Sequence, residues 1–486
     1  MHSITNSRRR WSALALIVTA QFMVVLDVAI VNVALPSIKA DLGFSQDDLQ
    51  WIISAYAILF GGTLLLGGRL ADLLGRRRLF ITGLLVFAAS SLLCGLAWSE
   101  ASLISFRAVQ GLGGALLAPA ALSLLVTSFA EGRDRNLALG IYSAASGSGA
   151  AAGVLLGGLL TSYLSWSWIF FINVPIGIAA ALLAPVLLRE SRPDLGHRHF
   201  DFAGAATVTS GLMVLVYGLT RATTDGWGAP ITIGLLAAAV ALIAAFITVE
   251  LRSPWPLLPL RIFRRRALVG ANLTITIVGA VTFAEFFVLT LYLQDVLHYS
   301  AVQTGVAFAA FALSVVVVSN LTQAVVSRIG VRATLLIGLV LSTISVALLT
   351  RLPVDGHYFW DVFPGVVIGG VGLGLTFVPA TIASLSGVDP ADAGIASGLV
   401  NTSRQIGGAI GLAAVTAIAA TATRNYAGDG GATAALDHGF QTALYSLAGL
   451  LVLGIAVAAT LVRPAPKPEP AVEPARVDAA PLREAA

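Results

Sequence analysis

Long apolar stretches separated by short polar breaks recur along almost the whole chain. Fourteen can be drawn, at about 12–35, 49–70, 79–98, 102–128, 137–161, 167–188, 201–221, 229–249, 268–293, 301–324, 333–351, 359–385, 394–422 and 440–462. Each is roughly 20 residues or longer, the length an α-helix needs to cross a bilayer. The pattern predicts an all-α, polytopic membrane protein with 14 transmembrane helices. An even number of spans puts both termini on one side. The breaks also divide the chain: an N-terminus at 1–11, six spans over 12–188, two over 201–249, six over 268–462, and a tail at 463–486. That tail is rich in Pro, Ala and Glu, has few large apolar residues, and is expected to be a disordered cytoplasmic end.

Composition agrees, and charge orients the picture. The 486 residues are 57% hydrophobic and 11% charged, against about 25% charged in an ordinary soluble domain. With the N-terminus in the cytoplasm, 23 Lys and Arg residues fall in cytoplasmic segments and 4 in outer ones, while Arg107 and Arg404 fall inside spans. Such a bias sets topology, so the net charge of +4 reflects orientation in the lipid bilayer of the cell membrane rather than a nucleic-acid partner. Arg8 to Arg10 look like the start of a signal peptide, but the apolar run behind them exceeds the usual h-region of about 7–15 residues. It also contains Gln21, Asp27 and Asn32, and is expected to be an uncleaved first span. The one cysteine, Cys94, allows no intrachain disulfide and no cysteine zinc site. No P-loop, HExxH or GxSxG motif is present, and the six histidines form no metal spacing. No cofactor, metal or enzymatic activity is expected.

The polar residues inside the spans carry the chemistry. Asp27 sits deep in the first, in LDVAIVNVALP, and Glu285 in the ninth, in TFAEFFVLTLYLQ. A charge at that depth costs about 2.5–3.5 kcal/mol on insertion scales and normally faces a bundle interior or a water-filled cavity. Burial favours the neutral form of a carboxyl and a nearby cation favours the ionised form, so a group balanced between them can exchange protons. Asp27 is read either as a proton or cation site or as a structural carboxylate tied to a backbone or Asn partner. Glu285, flanked by Phe283, Phe286 and Phe287, suits an aromatic pocket for a cationic substrate, or a carboxylate at a water-exposed pore rim. The fourth segment holds Arg107 and Gln110 in RAVQGLGGALLAP; the arginine either tunes a carboxylate or forms a fixed interhelical pair. In the fifth, Gly149, Gly153 and Gly157 recur every four residues, with Gly158 beside them, a spacing that permits close packing. The thirteenth contains Asn401, Arg404 and Gln405 in NTSRQIGGAIG, a gate or a group that snorkels to the cytoplasmic surface.

A weak internal repeat runs through the spans. GRRRLFITGL from Gly75 aligns with GVRATLLIGL from Gly330 at an offset of 255, matching Arg77 to Arg332 and Gly83 to Gly338. Pro119-Ala120 aligns with Pro379-Ala380 at an offset of 260. Two six-helix bundles separated by two extra helices give that spacing, and repeated bundles with a shared midplane site are a common transporter plan.

The stretch Gly68 to Phe80, GRLADLLGRRRLF, joins the second and third spans, with Asp72 among arginines that include Arg76 and Arg77. Such a cluster can hold two bundles together in one state and release them in another. It resembles the loop motif of the major facilitator superfamily, with Leu73 where that family often has a basic residue. The Asp27 stretch resembles the first-helix motif of its fourteen-span drug:proton antiporter branch. RAVQG resembles the family's R-x-x-x-Q-G motif, with one residue fewer between Arg107 and Gln110. SGSGAAAGVLLGG resembles the antiporter motif of the fifth helix, with Val154 in place of proline.

The resemblance implies a major facilitator fold of two six-helix bundles plus two linker helices. It implies proton-coupled export of amphipathic small molecules such as drugs or antibiotics. Proton or cation coupling would rest on Asp27, Glu285 and Arg107, and a substrate cavity would include Asn32 and Gln110. The proton gradient would supply the energy, and the chain is expected to act as a monomer. A proton-coupled importer on the same scaffold is the alternative.

Overall fold

The computed structural model describes residues 2–45, 48–129, 133–190, 201–254, 256, 258, 260–386, 393–426, 428 and 431–462. The tail at 463–486 and the side chain of Asp72 lie outside what is described. The chain forms α1 (His2–Leu42), α2 (Trp51–Leu74), α3 (Arg76–Gly95), α4 (Glu100–Ser128), α5 (Arg133–Tyr163), α6 (Trp168–Phe171), α7 (Asn173–Leu187), α8 (Phe202–Asp225) and α9 (Pro230–Arg252). It continues with α10 (Arg266–Leu291), α11 (Ala301–Ile329), α12 (Val331–Leu349), α13 (Phe363–Leu385), α14 (Ala393–Arg424) and α15 (Gly431–Leu461). Single π-helical turns, Tyr292–Val296 and Tyr358–Val362, extend α10 and lead into α13. No strand occurs among the described residues.

Twelve helical stretches among the described residues are long and apolar enough to cross a membrane, α6 and α7 together making one of them. Two helices expected to span carry shorter apolar stretches, Trp51–Leu64 in α2 and Ser148–Tyr163 in α5.

Short connections reverse the chain where the local chemistry stops a helix. Ser99 and Ser102 form a reciprocal capping box at the start of α4, as Ser300 and Gln303 do for α11, satisfying donors a helix leaves unpaired. Between α2 and α3 stands one residue, Gly75, at φ 107°; between α11 and α12 stands Gly330, at φ 86°. Both turns require a left-handed backbone, which glycine adopts without steric cost.

The repeat read in the sequence therefore has a counterpart in geometry. Arg77 donates to the carbonyls of Pro185 and Leu188 at the end of α7, and Arg332 donates to the carbonyl of Ala459 at the end of α15. In each half an arginine from the second–third helix turn caps the carbonyl end of the last helix, where a cation is favoured. Gly83 packs on Leu117 of α4, and Gly338 packs on Gly372 and Thr376 of α13.

The two halves share packing toward one end of the bundle. One apolar core joins Leu26 to Ile53, Val154 and Trp166 of the first half to Ala271, Phe308 and Leu447 of the second. Toward the end where α1 begins and α15 finishes, the first half has its own core, from Leu14 through Phe80 and Leu125 to Leu188. At the opposite end Gln294 donates to the Val33 carbonyl across the halves at 2.9 Å. There too a Cβ at Gly158 would lie 2.6 Å from the Ala301 carbonyl, and one at Gly305 would lie 2.4 Å from that of Val154. Exposed aromatics mark this opposite end, Trp98, Tyr163, Trp227 and Trp360 among them, as expected at a membrane–water interface. Helix α8 fills the seam between α2 and α14, with Leu212 and Val216 against Ala57, Ile58, Ala409 and Ala413. Helix α9 packs on α8 and leaves most of its apolar surface exposed.

Candidate functional site

Asp27 is fully enclosed, at 0% exposure, in the middle of α1. Donors reach it from α4 and α7, and α2 and α3 brace those donors. From α4, an Arg107 terminal nitrogen donates to one carboxylate oxygen at 2.7 Å. The other oxygen accepts from the Gln110 amide at 2.8 Å and from the Asn173 amide of α7 at 2.9 Å. Ser91 of α3 accepts from both amides and donates to the Phe170 carbonyl. Arg107 is tied further: it donates to Gln110 Oε1 at 2.6 Å and, through Nε, to the Ile52 carbonyl of α2 at 3.0 Å. Its guanidinium lies 4.5 Å from the centre of the Tyr56 ring, a favourable cation–π placement. Both amides present NH2 to the carboxylate, since the reverse orientation would set oxygen against oxygen.

The sequence dictates part of this arrangement. Arg107 and Gln110 are three apart on one helix and so lie on one face. Gly111 and Gly113 let α4 press on α2 and α3: Cβ atoms there would meet the Tyr56 carbonyl at 2.4 Å and the Phe87 nitrogen at 2.7 Å. The glycine stripe of α5 faces α1 beside Asp27. A Cβ at Gly149 would come 3.0 Å from the Phe22 carbonyl, at Gly153 2.8 Å from that of Leu26, and at Gly157 2.8 Å from that of Ile30. Of the expected cavity residues, Gln110 joins this network. Asn32 does not: its amide donates to the Val28 carbonyl of its own helix. Asn173, Ser91 and Tyr56 also belong to the network, beyond the residues the sequence pattern singles out. Asn173 carried a signal, a lone amide in the apolar run WIFFINVPIG.

Glu285 lies in the middle of α10, 7% exposed, inside the second half. One of its oxygens, Oε1, is buried without a hydrogen-bond partner. Beside it is a cavity of about 10 Å3 measured for a water's centre, lined by Thr282, Ser342, Phe311, Leu373 and Leu451 among others; that is room for about one water. The three phenylalanines around Glu285 do not converge on it, a correction to the expected aromatic pocket. Phe286 stacks on Phe308 at 4.8 Å and meets Phe311 edge-on at 4.9 Å. Phe287 is buried in the shared core. Phe283 packs on Gly408 of α14 and on the seam filled by α8. Phe283, Phe286 and Phe287 are spaced i, i+3, i+4 and form one stripe, which at about 100° per residue turns away from Glu285.

On α14, Gln405 meets Gly61 of α2 across the halves. Arg404 lies 5.6 Å from the Phe377 ring, its Nε without a partner, and its carbonyl presses against Gly279 of α10. Asn401 sits one turn earlier, half-buried. In the loop stretch, Arg77 and Arg78 engage Glu190 in their own half, so these contacts do not bridge the halves. Gly68 faces Pro119 of α4, and Arg76 begins α3.

The helical bundle, with one carboxyl enclosed at mid-helix in each half, has counterparts among solved structures. The fold is similar to that of peptide transporter POT in complex with sulfate, with TM-score 0.68, 18% identity, and coverage of 92% of this chain and 94% of that one. It is also similar to a variant of nucleoside transporter NupG, with TM-score 0.66, 13% identity, and coverage of 93% and 100%. The chain belongs to the Major Facilitator Superfamily, whose profile matches residues 17–412, and it is a transporter rather than an enzyme. It is 40% identical over 462 residues to puromycin resistance protein pur8 of Streptomyces alboniger, covering 93% of this chain and 92% of that one. It is 41% identical over 415 residues to cephamycin export protein CmcT of Amycolatopsis lactamdurans, covering 85% of each. With the tetracenomycin C resistance and export protein of Streptomyces glaucescens it shares 35% identity over 418 residues, covering 85% and 76%.

Proposed function

We propose that this chain exports amphipathic small molecules, antibiotics among them, across the cytoplasmic membrane in exchange for protons. It has fourteen spans, with α2 and α5 crossing fully. Residues 12–188 and 268–462 form two six-helix bundles around the linker helices at 201–249. Both termini are cytoplasmic, and the chain works as a monomer without a cofactor. The bundles rock to present the path between them to each face in turn. Protons exchange at an intramembrane carboxylate, Asp27 or Glu285, and each inward charge contributes about 2.3 kcal/mol per 100 mV if the exchange is electrogenic.

The observation that carries this reading is the enclosed Asp27–Arg107 network, in a chain whose relatives are named for antibiotic resistance and export. A carboxylate retained at such depth is costly, and its donors come from α4 and α7 and are braced by α2 and α3, so its charge state bears on how those helices pack. Export rather than import is favoured by the relatives' names. The test uses everted membrane vesicles containing the protein, with labelled puromycin as probe. Accumulation that needs an acidic lumen, collapses with a protonophore and is abolished by Asp27→Asn is the expected result. Accumulation indifferent to the protonophore, or movement only in the opposite direction, overturns it.

A further inference from the structure

Asp27 and Glu285 are 258 residues apart, between the repeat offsets of 255 and 260. They occupy matching places in the two halves, but their surroundings do not match. Carried across at 260, Arg107 corresponds to Val367 and Gln110 to Gly370; carried at 255, Tyr56 corresponds to Phe311. The second half therefore lacks both the cation and the amide that hold Asp27. Where they would stand are small or apolar residues and, beside Glu285, the small cavity lined by Phe311, Thr282 and Ser342.

Among the described residues, no charged group from the neighbouring helices takes up the role. On α1, Asp27 is engaged by Arg107, and Lys39 lies in the last turn. Arg328 at the end of α11 is the only charge on that helix, and α13 has none. Arg332 of α12 caps α15 at the terminal end. Arg404 of α14 faces Phe377. On α15, Asp437 accepts from Gln441, and His438 lies against Tyr426. Asp295 sits in the turn beyond α10, and Arg261, Arg264 and Arg266 precede or begin that helix.

We propose that Glu285 is the group that takes up and releases the transported proton, whereas Asp27 stays ionised beside Arg107 throughout the cycle. This rests on the proton-exchange reading above and assigns its proton to one residue. An ionised Asp27 already has three donors, and protonating it would leave Arg107 enclosed without its counter-charge. An ionised Glu285 has a bare oxygen in an apolar bundle, and protonation removes that charge with no other group stranded. The step needs only a proton: it binds a carboxylate oxygen from one side of the membrane and leaves to the other.

The experiment is infrared difference spectroscopy of the full-length protein in lipid vesicles, titrated from about pH 5 to about pH 9. The signal is the C=O stretch of a protonated carboxyl. A titrating band is expected in the unaltered protein and in Asp27→Asn. It should vanish in Glu285→Gln and move in Glu285→Asp, with melting temperatures confirming that each variant is folded. A band that survives Glu285→Gln, or that disappears in Asp27→Asn, overturns the assignment. If the band follows Glu285 while puromycin accumulation proves independent of the proton gradient, the export reading fails and the identity of the titrating group stands.

Discussion

The two halves of this transporter each enclose one carboxylate at mid-helix, and they treat it in opposite ways. In the first half Asp27 is held by a guanidinium and two amides, drawn from α4 and α7, with α2 and α3 bracing the donors. In the second, Glu285 keeps an unpartnered oxygen beside a small cavity. The turn geometry and the arginine caps are repeated in both halves, so the scaffold is duplicated while the chemistry at its centre is not. A buried pair is costly to break and a buried lone carboxyl is free to change charge, and each half keeps one of these properties.

The largest expected effect tests that contrast on stability. Arg107→Leu strands the Asp27 charge, and loss of one member of a buried pair costs about 3–5 kcal/mol. A fall in melting temperature in detergent should report it, and adding Asp27→Asn should restore much of the loss. Glu285→Gln strands nothing and should change stability by less than about 1 kcal/mol. Equal losses for the two would erase the distinction.

Next in size, Gly153→Leu drives a side chain into the Leu26 carbonyl and Ala29. Overpacking of this kind costs about 1–3 kcal/mol, and it should also lower puromycin accumulation in vesicles by displacing α1 at Asp27. Asn173→Ala removes one donor and leaves a carboxylate oxygen with Gln110 alone; about 1–3 kcal/mol is expected, whereas Thr282→Ala beside Glu285 should be nearly silent in the same melting assay.

The smallest effect concerns what the halves share. Arg77→Ala and Arg332→Ala each remove a cap from the last helix of a half, at about 0.5–1.5 kcal/mol. Arg77 also faces Glu190, so its loss should be slightly the larger. A null result for both, measured by melting temperature, would mean that the repeated turns are held by glycine geometry alone.

Much of the fold was written locally. Runs of apolar residues long enough to span, broken by Gly75, Ser99, Gly330 or Ser300, define helices without reference to any neighbour, and the Gly/Arg repeat announced that two halves would share a plan. That α5 packs closely on a neighbour was legible in the four-residue glycine spacing, and the structure shows that the neighbour is α1. The sequence also pointed to three residues that matter most in the first half, because Asp27, Arg107 and Gln110 are conspicuous in hydrocarbon. It could not show which partners they choose. Asn173 and Ser91 look ordinary in their own segments, and become ligands of Asp27 only when α3 and α7 are folded against α1. The three phenylalanines near Glu285 promised a pocket by adjacency alone, and the helical turn put them on one stripe facing away from the carboxyl. Hydropathy is a property of each stretch of chain, so the sequence determined the spans and their charged exceptions. Whether a buried charge is neutralised depends on donors that arrive from other helices, and only the tertiary structure decided that Asp27 is partnered and Glu285 is not.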